Sequence, residues 1–492
     1  MKAPFGSYTD PGYDAFKAAN VSRTPMIYVP ANDGMLHAFY ATTNLLDPLA
    51  GQEAWAMIPS TVLKNLYRLA DNGYKNTHQF YVDGTPVVGD AYDGAAWKTV
   101  LVAGLNGGGR GYYAIDVTDP VAPKALWEFK WDPSVCPALP AFAAGNTSDC
   151  HLGYTFGKPL LSKLADNSWV VMFTSGYNNV NAPVDPAGDG KGYLYVLDAF
   201  SGQIRYKIPT GAGNPVTPSG LAQITNFVDD SLLNNTTKQV YGGDLLGNVW
   251  RFDVNGTILP AGREATLIGI ASDPGGAAQP ITAKPELAEL NGKPMVFVGT
   301  GQLLGTTDLT TQQQQSVYGI VDPLVGSPVY ATPMRNAFKK LELVPDASGT
   351  TRTVACTGTC ASVNGWVIDL PAATGLDPSE RMNVDMRLAR GTLVFATNIP
   401  VFNPADPCEP KGRSWLNYVS FSSGLAVTSS SGLAASVSLV NQFAVGVTLV
   451  DIQGQLYGER RLADGSSAPP DPVPVDPAKP TGKRISWREI VQ

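Results

Sequence analysis

The feature that most constrains the fold of this chain is one hairpin phrase that recurs along its length. In residues 239–256, QVYGGDLLGNVWRFDVNG, an apolar strand leads into a turn rich in Gly and Asn and then into a second strand carrying Trp250 and Phe252. Gly and Asn tolerate the positive φ that a tight reversal needs. Variants of the phrase begin at Ala31, Gly109, Gly190 and Ser316. Recurrence of one hairpin over a long chain indicates radial or linear β repetition.

The repeats and the composition together predict an all-β propeller. The 492 residues include 51 Gly and 39 Pro, and only 16% are charged, which suits short strands and loops better than helices. The hairpins fall into about seven groups, the fifth ending with 317–321 and the sixth beginning with 366–370. Each group is longer than the about 40–50 residues of a compact blade, and a β-solenoid would need a shorter, regular period. We therefore predict an irregular, about seven-bladed β-propeller with loop insertions and one or a few short helices.

The whole chain is predicted to form a single propeller domain. A short helix is expected after Pro59, where apolar residues recur at helical spacing. The predicted parts are a polar, loop-like lead-in (1–24), the blades (25–465), an extended and mobile Pro-rich linker (466–483) and a closing strand (484–492). A strand that follows a linker can complete an early blade and so remove an open sheet edge.

Composition also limits the partners and the chemistry. The net charge is −7 and no run of Lys or Arg occurs, so nucleic acid and anionic membrane surfaces are not expected partners. No apolar run reaches the about 18 residues of a membrane span, so direct membrane insertion is not expected. Only three His are present, which disfavours a Ser-His-Asp triad or a His-rich zinc site. The start of the chain lacks the apolar core of a signal peptide, which indicates a cytosolic protein or a domain boundary.

The five cysteines point to local disulfides. Cys136 and Cys150 bracket one loop, and Cys356 and Cys360 bracket a very short one. We predict both pairs as disulfides, which implies an oxidising compartment. The alternative is that these are unpaired small core residues. Cys408 is left over and is either a free thiol or a partner for a cysteine outside this chain.

Several longer phrases resemble one protein family. Together they are similar, in collinear order from about residue 25 to the end, to the C-terminal β-propeller of the PilY1 family (also called PilC) of type IV pilus biogenesis proteins. The phrases are ANDGMLHAF (31–39), NGGGRGYYAIDVTDP (106–120), LGYTFGKP (152–159), SGYNN (175–179), GDLLGNVWRFD (243–253), VGTGQLL (298–304) and GKRISWREI (482–490). The shorter repeats also resemble those of pyrroloquinoline-quinone dehydrogenases.

The family resemblance implies that the protein is not an enzyme. It implies a non-enzymatic type IV pilus biogenesis and adhesion factor, located at the pilus tip or the secretin pore, that opposes pilus retraction and supports surface attachment. It implies a periplasmic or cell-surface, pilus-associated location. The implied partners are pilus subunits and minor pilins, with a host-surface receptor or glycan as a further candidate. The N-terminal region and signal peptide that such proteins carry are absent from this chain.

Two alternative functions remain at this point. A quinoprotein oxidoreductase would need a dense polar pocket for the quinone, a calcium ion beside it and an Asp base. The sequence shows repeats but no concentrated set of acidic and basic residues for that purpose, so no quinone is expected. A glycan-binding propeller is the other alternative, since aromatic residues at a propeller face could stack on sugars.

The resemblance also raises the question of a calcium site. In the family the loop before the GDLxGNxWRFD hairpin often reads D-x-D-x-D-x-x-x-D, which resembles the first part of an EF-hand loop. Here 230–238 reads DSLLNNTTK. Asp230, Asn234 and the carbonyl of Thr236 keep oxygen ligands, whereas Leu232 and Lys238 replace carboxylates. We expect the site to be lost or to bind more weakly than about millimolar; the alternative is a plain hairpin loop in which Asn234 and Asn235 are turn residues.

A second polar loop offers other ligands for an ion. Asp185 and Asp189 lie close together in it, with Asn179 and Asn181 nearby. Their spacing matches no defined calcium loop, so the prediction is less specific than the one for 230–238.

Overall fold

The fold is described by a computed structural model. It describes residues 7–42, 44, 46–135, 145–180, 188–230, 233–258, 262–358, 360–375, 377–401, 411–427, 435–439, 443–466 and 470–475. Nearly all regular structure in these residues is β, in agreement with the repeats. No helix in these ranges is long and apolar enough to cross a membrane.

Within the described residues the strands form seven consecutive groups, which we call blades 1 to 7. Blade 1 has β1 (Met26–Pro30), β2 (Leu36–Tyr40) and β3 (Glu53–Met57). Blade 2 has β4 (Val87–Tyr92), β5 (Trp97–Gly104), β6 (Gly111–Asp116) and β7 (Lys124–Trp131), followed by the short β8 (Ser148–Asp149). Blade 3 has β9 (Leu160–Lys163), β10 (Trp169–Thr174), β11 (Tyr193–Asp198) and β12 (Ile204–Pro209). Blade 4 has β13 (Ile224–Asp230), β14 (Asn234–Gly243), β15 (Asn248–Phe252) and β16 (Ala265–Ile270).

The second half of the chain is less regular. Blade 5 has β17 (Glu286–Leu290), β18 (Lys293–Gly299), β19 (Ser316–Val321) and, after an inserted hairpin of β20 (Lys339–Pro345) and β21 (Thr351–Cys356), β22 (Gly365–Asp369). Blade 6 has β23 (Arg387–Ala389), β24 (Thr392–Val401), β25 (Lys411–Ser420) and β26 (Ser436–Leu439). Blade 7 has β27 (Ala444–Ile452), β28 (Gln455–Leu462) and β29 (Asp471–Pro472).

The inserted hairpin changes one predicted grouping. Segment 366–370 was expected to open the sixth group, but β22 pairs antiparallel with β19 and so completes blade 5. β20 runs parallel to β22, and β21 pairs with β26 of blade 6. The hairpin thus covers the outer edges of both blades and joins them into one ten-stranded sheet.

Aromatic side chains fill the space between neighbouring blades. Tyr112 of blade 2 stacks on Phe173 of blade 3 with ring centroids 3.9 Å apart, and Phe129 lies 5.6 Å from Tyr195 across the same interface. All four are buried. Strand β10 is buried along its whole length, because blade 3 is covered by blade 2 on one face and by blade 4 on the other.

The described part of the lead-in, residues 7–24, is structured, contrary to the prediction of a polar loop for 1–24. Helix α1 (Tyr13–Asn20) lies within it. Tyr8 and Tyr13 are buried and pack against Trp97, with ring centroids 5.7 and 4.7 Å away. The Tyr13 hydroxyl donates to Asp90 (2.8 Å), so the lead-in is part of the hydrophobic core beside blades 2 and 3.

The predicted helix after Pro59 is a single turn, α2 (Ser60–Leu63). Two 3-10 helices follow, Leu66–Ala70 and Tyr74–Asn76. This link between β3 and β4 is anchored by Val62, which is 1% exposed.

Part of the Pro-rich segment 466–483 belongs to the last sheet. β29 pairs with β28, and Val473 is buried, so residues 470–475 are held in place rather than being a mobile linker. Residues 467–469 and 476–492, which include the predicted closing strand 484–492, lie outside the described residues.

Turn positions define one face of the propeller. Because consecutive strands of a blade are antiparallel, the turn between its second and third strands and the link to the next blade lie at the same end; we call this end the upper face. The β1–β2 turn also lies there, since Asn32 Oδ1 accepts the amide of Tyr81 (3.0 Å) and the Tyr81 carbonyl lies against Gly108 of the β5–β6 turn. β1 therefore occupies the place of a second strand, and within the described residues it pairs only with β2.

Candidate functional site

The turn of the recurring phrase is built around one buried carboxylate. Asp244 is 0% exposed. Its Oδ1 accepts the amides of Leu246 (3.0 Å) and Asn248 (2.9 Å). Its Oδ2 accepts hydrogen bonds from the Ser219 hydroxyl (3.0 Å), the side-chain amide of Asn248 (2.9 Å) and the Trp250 indole N–H (3.0 Å). Burial raises the pKa of Asp244. Donors of the turn, of Ser219 and of Trp250 occupy its acceptor positions, so this acid organises the β14–β15 turn.

The predicted calcium loop is a tight hairpin on the opposite face. Asp230 and Asn234 are the last register pair of β13 and β14. The hydroxyl of Thr236 donates to Asn234 Oδ1 (2.6 Å), and Leu232 lies outside the described residues. One carboxylate and an amide oxygen that already has a donor do not fit the six to eight oxygens that calcium requires.

The neighbouring Asn235 is a strand residue and not a turn residue. It is 2% exposed, and its side-chain amide donates to the carbonyl of Leu161 (3.0 Å). The alternative that placed it in the turn is therefore wrong.

Of the second predicted pair of ion ligands, only Asp189 is described, since Asp185 lies outside the described residues. Asp189 Oδ1 accepts the Lys191 amide (3.0 Å) and Oδ2 accepts the Tyr193 hydroxyl (2.7 Å). Its Oδ2 is 3.8 Å from Nε2 of His151. The structure places Asp189 at the edge of a buried ionic cluster that the sequence did not indicate.

The centre of this cluster is an ion pair between the blade 2–3 link and blade 3. The Lys207 ammonium donates to both oxygens of Asp149 (2.9 and 3.0 Å) and lies 2.7 Å from Nδ1 of His151. The side chains of Lys207 and Asp149 are 3% and 2% exposed. The hydroxyl of Tyr195 also donates to Asp149 (3.0 Å).

Two opposing effects set the charges of this pair. Burial alone would raise the pKa of Asp149, but hydrogen bonds from His151 and the charge of Lys207 outweigh it and lower the pKa to about 2. Burial lowers the pKa of Lys207 and Asp149 acts against that shift. Two short charge-assisted bonds favour the ionised pair, so Asp149 holds the ammonium in the core.

The same segment does not fit a metal ion. Ligand atoms of Asp149, Cys150 and His151 lie within 4.8 Å of one another. However, Cys150 is disulfide-bonded and offers no thiolate, while the Lys207 ammonium occupies the space beside Nδ1 of His151. A metal would have to displace a buried cation.

The disulfide predictions fall partly within the described residues. The structure joins Cys356 to Cys360 by a disulfide. Cys150 is disulfide-bonded, and its predicted partner Cys136 lies outside the described residues, as does Cys408.

A polar cavity of about 250 Å³ lies at the upper face between blades 4, 5 and 6, lined by Leu245, Pro280, Gln302, Thr311, Gln313, Gln315 and Arg381. The Arg381 side chain is fully buried. Its guanidinium donates to the carbonyls of Gln302 (3.1 Å), Thr311 (2.9 Å) and Ser379 (3.1 Å) and to that of Asp308. Burial lowers the pKa of Arg381 and the Asp308 charge opposes this shift. Besides this guanidinium, the polar groups of the lining are amides and a hydroxyl. The lining has no carboxylate that could act as a base.

Comparison with known proteins places this irregular propeller in a family. The family model described as the PilY1 beta-propeller domain matches residues 4–341. The type IV pilus biogenesis factor PilY1 of Pseudomonas aeruginosa is 32% identical over 444 residues, covering 82% of this chain and 35% of the relative. A PilY1 homolog of Xylella fastidiosa is 32% identical over 410 residues, covering 82% of this chain and 30% of the relative.

The structural comparison agrees. The crystal structure of the Pseudomonas aeruginosa PilY1 C-terminal domain matches with a TM-score of 0.68 and 26% identity, covering 93% of this chain and 95% of that one. The class of protein is therefore an irregular β-propeller. This chain belongs to the PilY1 family of type IV pilus biogenesis factors, and it spans about a third of the length of the curated relatives it matches.

Proposed function

We propose that this chain is the propeller of a non-enzymatic type IV pilus biogenesis and adhesion factor that opposes pilus retraction and supports surface attachment. The observation that carries the proposal is its membership of the PilY1 family, with a fold that matches a solved PilY1 C-terminal domain across 93% of the chain. Its place is at the pilus tip or the secretin pore, and its partners are pilus subunits and minor pilins.

Two buried acids of the upper face, Asp244 and Asp149, have structural rather than catalytic surroundings. A catalytic carboxylate has to reach a substrate proton. Asp244 and Asp149 are both buried, and both are bonded by protein groups that fix the fold. The disulfide between Cys356 and Cys360 supports a periplasmic or cell-surface location, where disulfides persist.

Removal of this propeller from the gene of its host bacterium tests the role in retraction. We expect cells carrying the in-frame deletion to lose surface pili, and we expect pili to return when the retraction motor is deleted as well. Electron microscopy and sheared-pilin immunoblots measure both. Normal piliation in the single deletion would contradict a pilus role, and bald cells in the double deletion would contradict the action against retraction.

A separate assay tests the absence of quinone chemistry. We expect no stoichiometric binding of pyrroloquinoline quinone in the presence of calcium and no dye-linked alcohol oxidation, because the described cavity at blades 4–6 lacks an acidic base. Tight binding with turnover would replace the proposal with a quinoprotein function.

A further inference from the structure

The link between β3 and β4 exposes large apolar side chains at the upper face. Leu63 is 53% exposed, Tyr67 70% and Phe80 51%. Leu63 and Tyr67 flank Asn65, whose carbonyl accepts the hydroxyl of Tyr81, the chain neighbour of Phe80. Large apolar side chains exposed close together are typical of interaction sites. We define the link patch as these three residues together with Lys64, Arg68 and Lys75, which are also exposed.

Buried neighbours hold the link patch in place. Tyr81 is 1% exposed, and its hydroxyl donates to the carbonyl of Asn65 (3.1 Å) at the start of the first 3-10 helix. The Phe80 ring lies on the β5–β6 turn, so close to Gly107 that a Cβ there would come within 3.0 Å of the ring. The exposed rings are therefore presented by ordered backbone, which reduces the entropy that a partner would lose on binding.

The charge of the link patch is opposite to that of the chain. The chain carries a net −7, whereas Asp71 is the only acidic residue among 60–80, beside Lys64, Arg68 and Lys75. None of these three cations forms an ion pair with a carboxylate among the described residues, and the Asp71 carboxylate accepts the amide of Gly73 (2.7 Å). The contrast is clear in blade 3, where Arg205 is paired with Asp166 (3.2 Å).

We propose that the link patch is a docking surface for an acidic polypeptide segment that carries apolar side chains. Tyr and Arg are enriched at protein interfaces, where aromatic rings supply contact area, and three cations attract and orient an acidic partner. A phosphate backbone would need more cations than these three, and the exposed apolar groups between them would gain nothing from it. The patch therefore favours a polypeptide partner. The proposal stands whether or not the chain acts at a pilus.

Fluorescence anisotropy with the full chain tests the proposal. The probe is a labelled synthetic peptide of alternating Glu and Phe, compared with one of alternating Glu and Ser. We expect the Glu–Phe peptide to bind more tightly, and added salt to weaken it. Two double variants, Tyr67→Ser with Phe80→Ser and Lys64→Glu with Arg68→Glu, should each weaken binding about tenfold or more, equivalent to about 1.4 kcal/mol.

Matched controls lie elsewhere on the surface. Val216 is 88% exposed, and Lys293 is exposed at the start of β18. Val216→Ser and Lys293→Glu should leave binding within about twofold. Melting curves establish that each variant is folded. Equal binding by patch and control variants would overturn the proposal, as would equal binding of both peptides. Sedimentation showing self-association that the patch variants abolish would also overturn it, because a second copy would then be the occupant.

Discussion

At the residue scale, the recurring phrase is explained by the hydrogen bonds of its acid. Asp244 lies between a Gly-containing turn and the indole of Trp250. The residue types of GDLLGN, and the spacing of its Gly and Asn, predict the tight turn. Sequence alone does not show that Ser219, 25 positions away, completes the acceptor set. Gly247 has φ +80°, and a Cβ there would meet the carbonyl of Ala271 at 2.8 Å, so this glycine is required by both conformation and space.

Substitution of this acid should be costly. Asp244→Ala leaves five donors without their acceptor: two backbone amides, the side-chain amide of Asn248, the Ser219 hydroxyl and the Trp250 indole. We therefore expect a loss of about 3 kcal/mol in the free energy of unfolding. Urea denaturation measures it. Asp119→Ala removes an exposed carboxylate that accepts one amide and should cost less than about 1 kcal/mol. Equal costs would show that the buried hydrogen bonds of Asp244 are not what stabilises the turn.

The buried ion pair predicts a stability that depends on pH. The pKa of Asp149 is lowered to about 2 from a usual 3.8, so its contribution is present above about pH 4 and is lost as the pH falls through 2. It amounts to about 2 kcal/mol. Asp149→Asn should cost about 3 kcal/mol at pH 6, because Lys207 is left without its carboxylate, and should remove this acid-dependent part.

Denaturation at pH 6, 4 and 2.5 provides the measurement. The control Asp377→Asn breaks an exposed ion pair, in which the side chains of Asp377 and Arg413 are 52% and 50% exposed. It should lower the free energy of unfolding by no more than about 1 kcal/mol and should keep the wild-type pH profile. A wild-type pH profile retained by Asp149→Asn would contradict the assignment to Asp149.

The partner of Asp149 could not be found from the sequence. Lys207 is 58 positions away along the chain, and no periodicity links the two residues.

The calcium loop remains a prediction at this scale. We propose that 230–238 binds calcium no more tightly than about millimolar, because a single carboxylate starts the ligand set. Isothermal titration of the wild type and of Asp230→Ala should give the same weak or absent heat. Micromolar binding that Asp230→Ala abolishes would show that ligands from elsewhere complete the shell.

At the scale of elements, the hairpins could be predicted from the sequence but their partners could not. Alternation and turn residues locate most strands. β22 was assigned to the wrong blade because the hairpin β20–β21 separates it from β19, and pairing across an insertion leaves no local pattern. Helix α1 was missed because only Tyr13 and Phe16 mark its apolar side in a polar segment, and their burial depends on Trp97 of blade 2.

Two truncations separate the contributions of the C-terminal elements. Removing 476–492 deletes the end of the Pro-rich segment and the predicted closing strand 484–492. Removing 467–492 deletes β29 and the buried Val473 as well. We expect the first truncation to lower the melting temperature strongly, since the edge of β1 would be left open, and the second to lower it further. An unchanged melting temperature after the first truncation would refute closure by 484–492.

At the scale of the whole molecule, repetition predicts the architecture more securely than any single motif. Seven antiparallel groups follow from recurring hairpins, because each hairpin can bury its faces only against neighbouring blades. The departures from regularity, such as the ten-stranded sheet of blades 5 and 6, arise from insertions. These insertions, the lead-in and the ionic cluster depend on contacts between distant segments, which local sequence patterns do not predict.

The central claim is that this chain is a working PilY1-type propeller. The most direct measurement replaces the aligned C-terminal region of the Pseudomonas aeruginosa relative with this chain and counts surface pili on cells that otherwise lack that protein. We predict that the chimera restores pili, whereas the same protein without any propeller does not. A chimera that is secreted at the normal level and folded, yet leaves the cells without pili, would contradict the account.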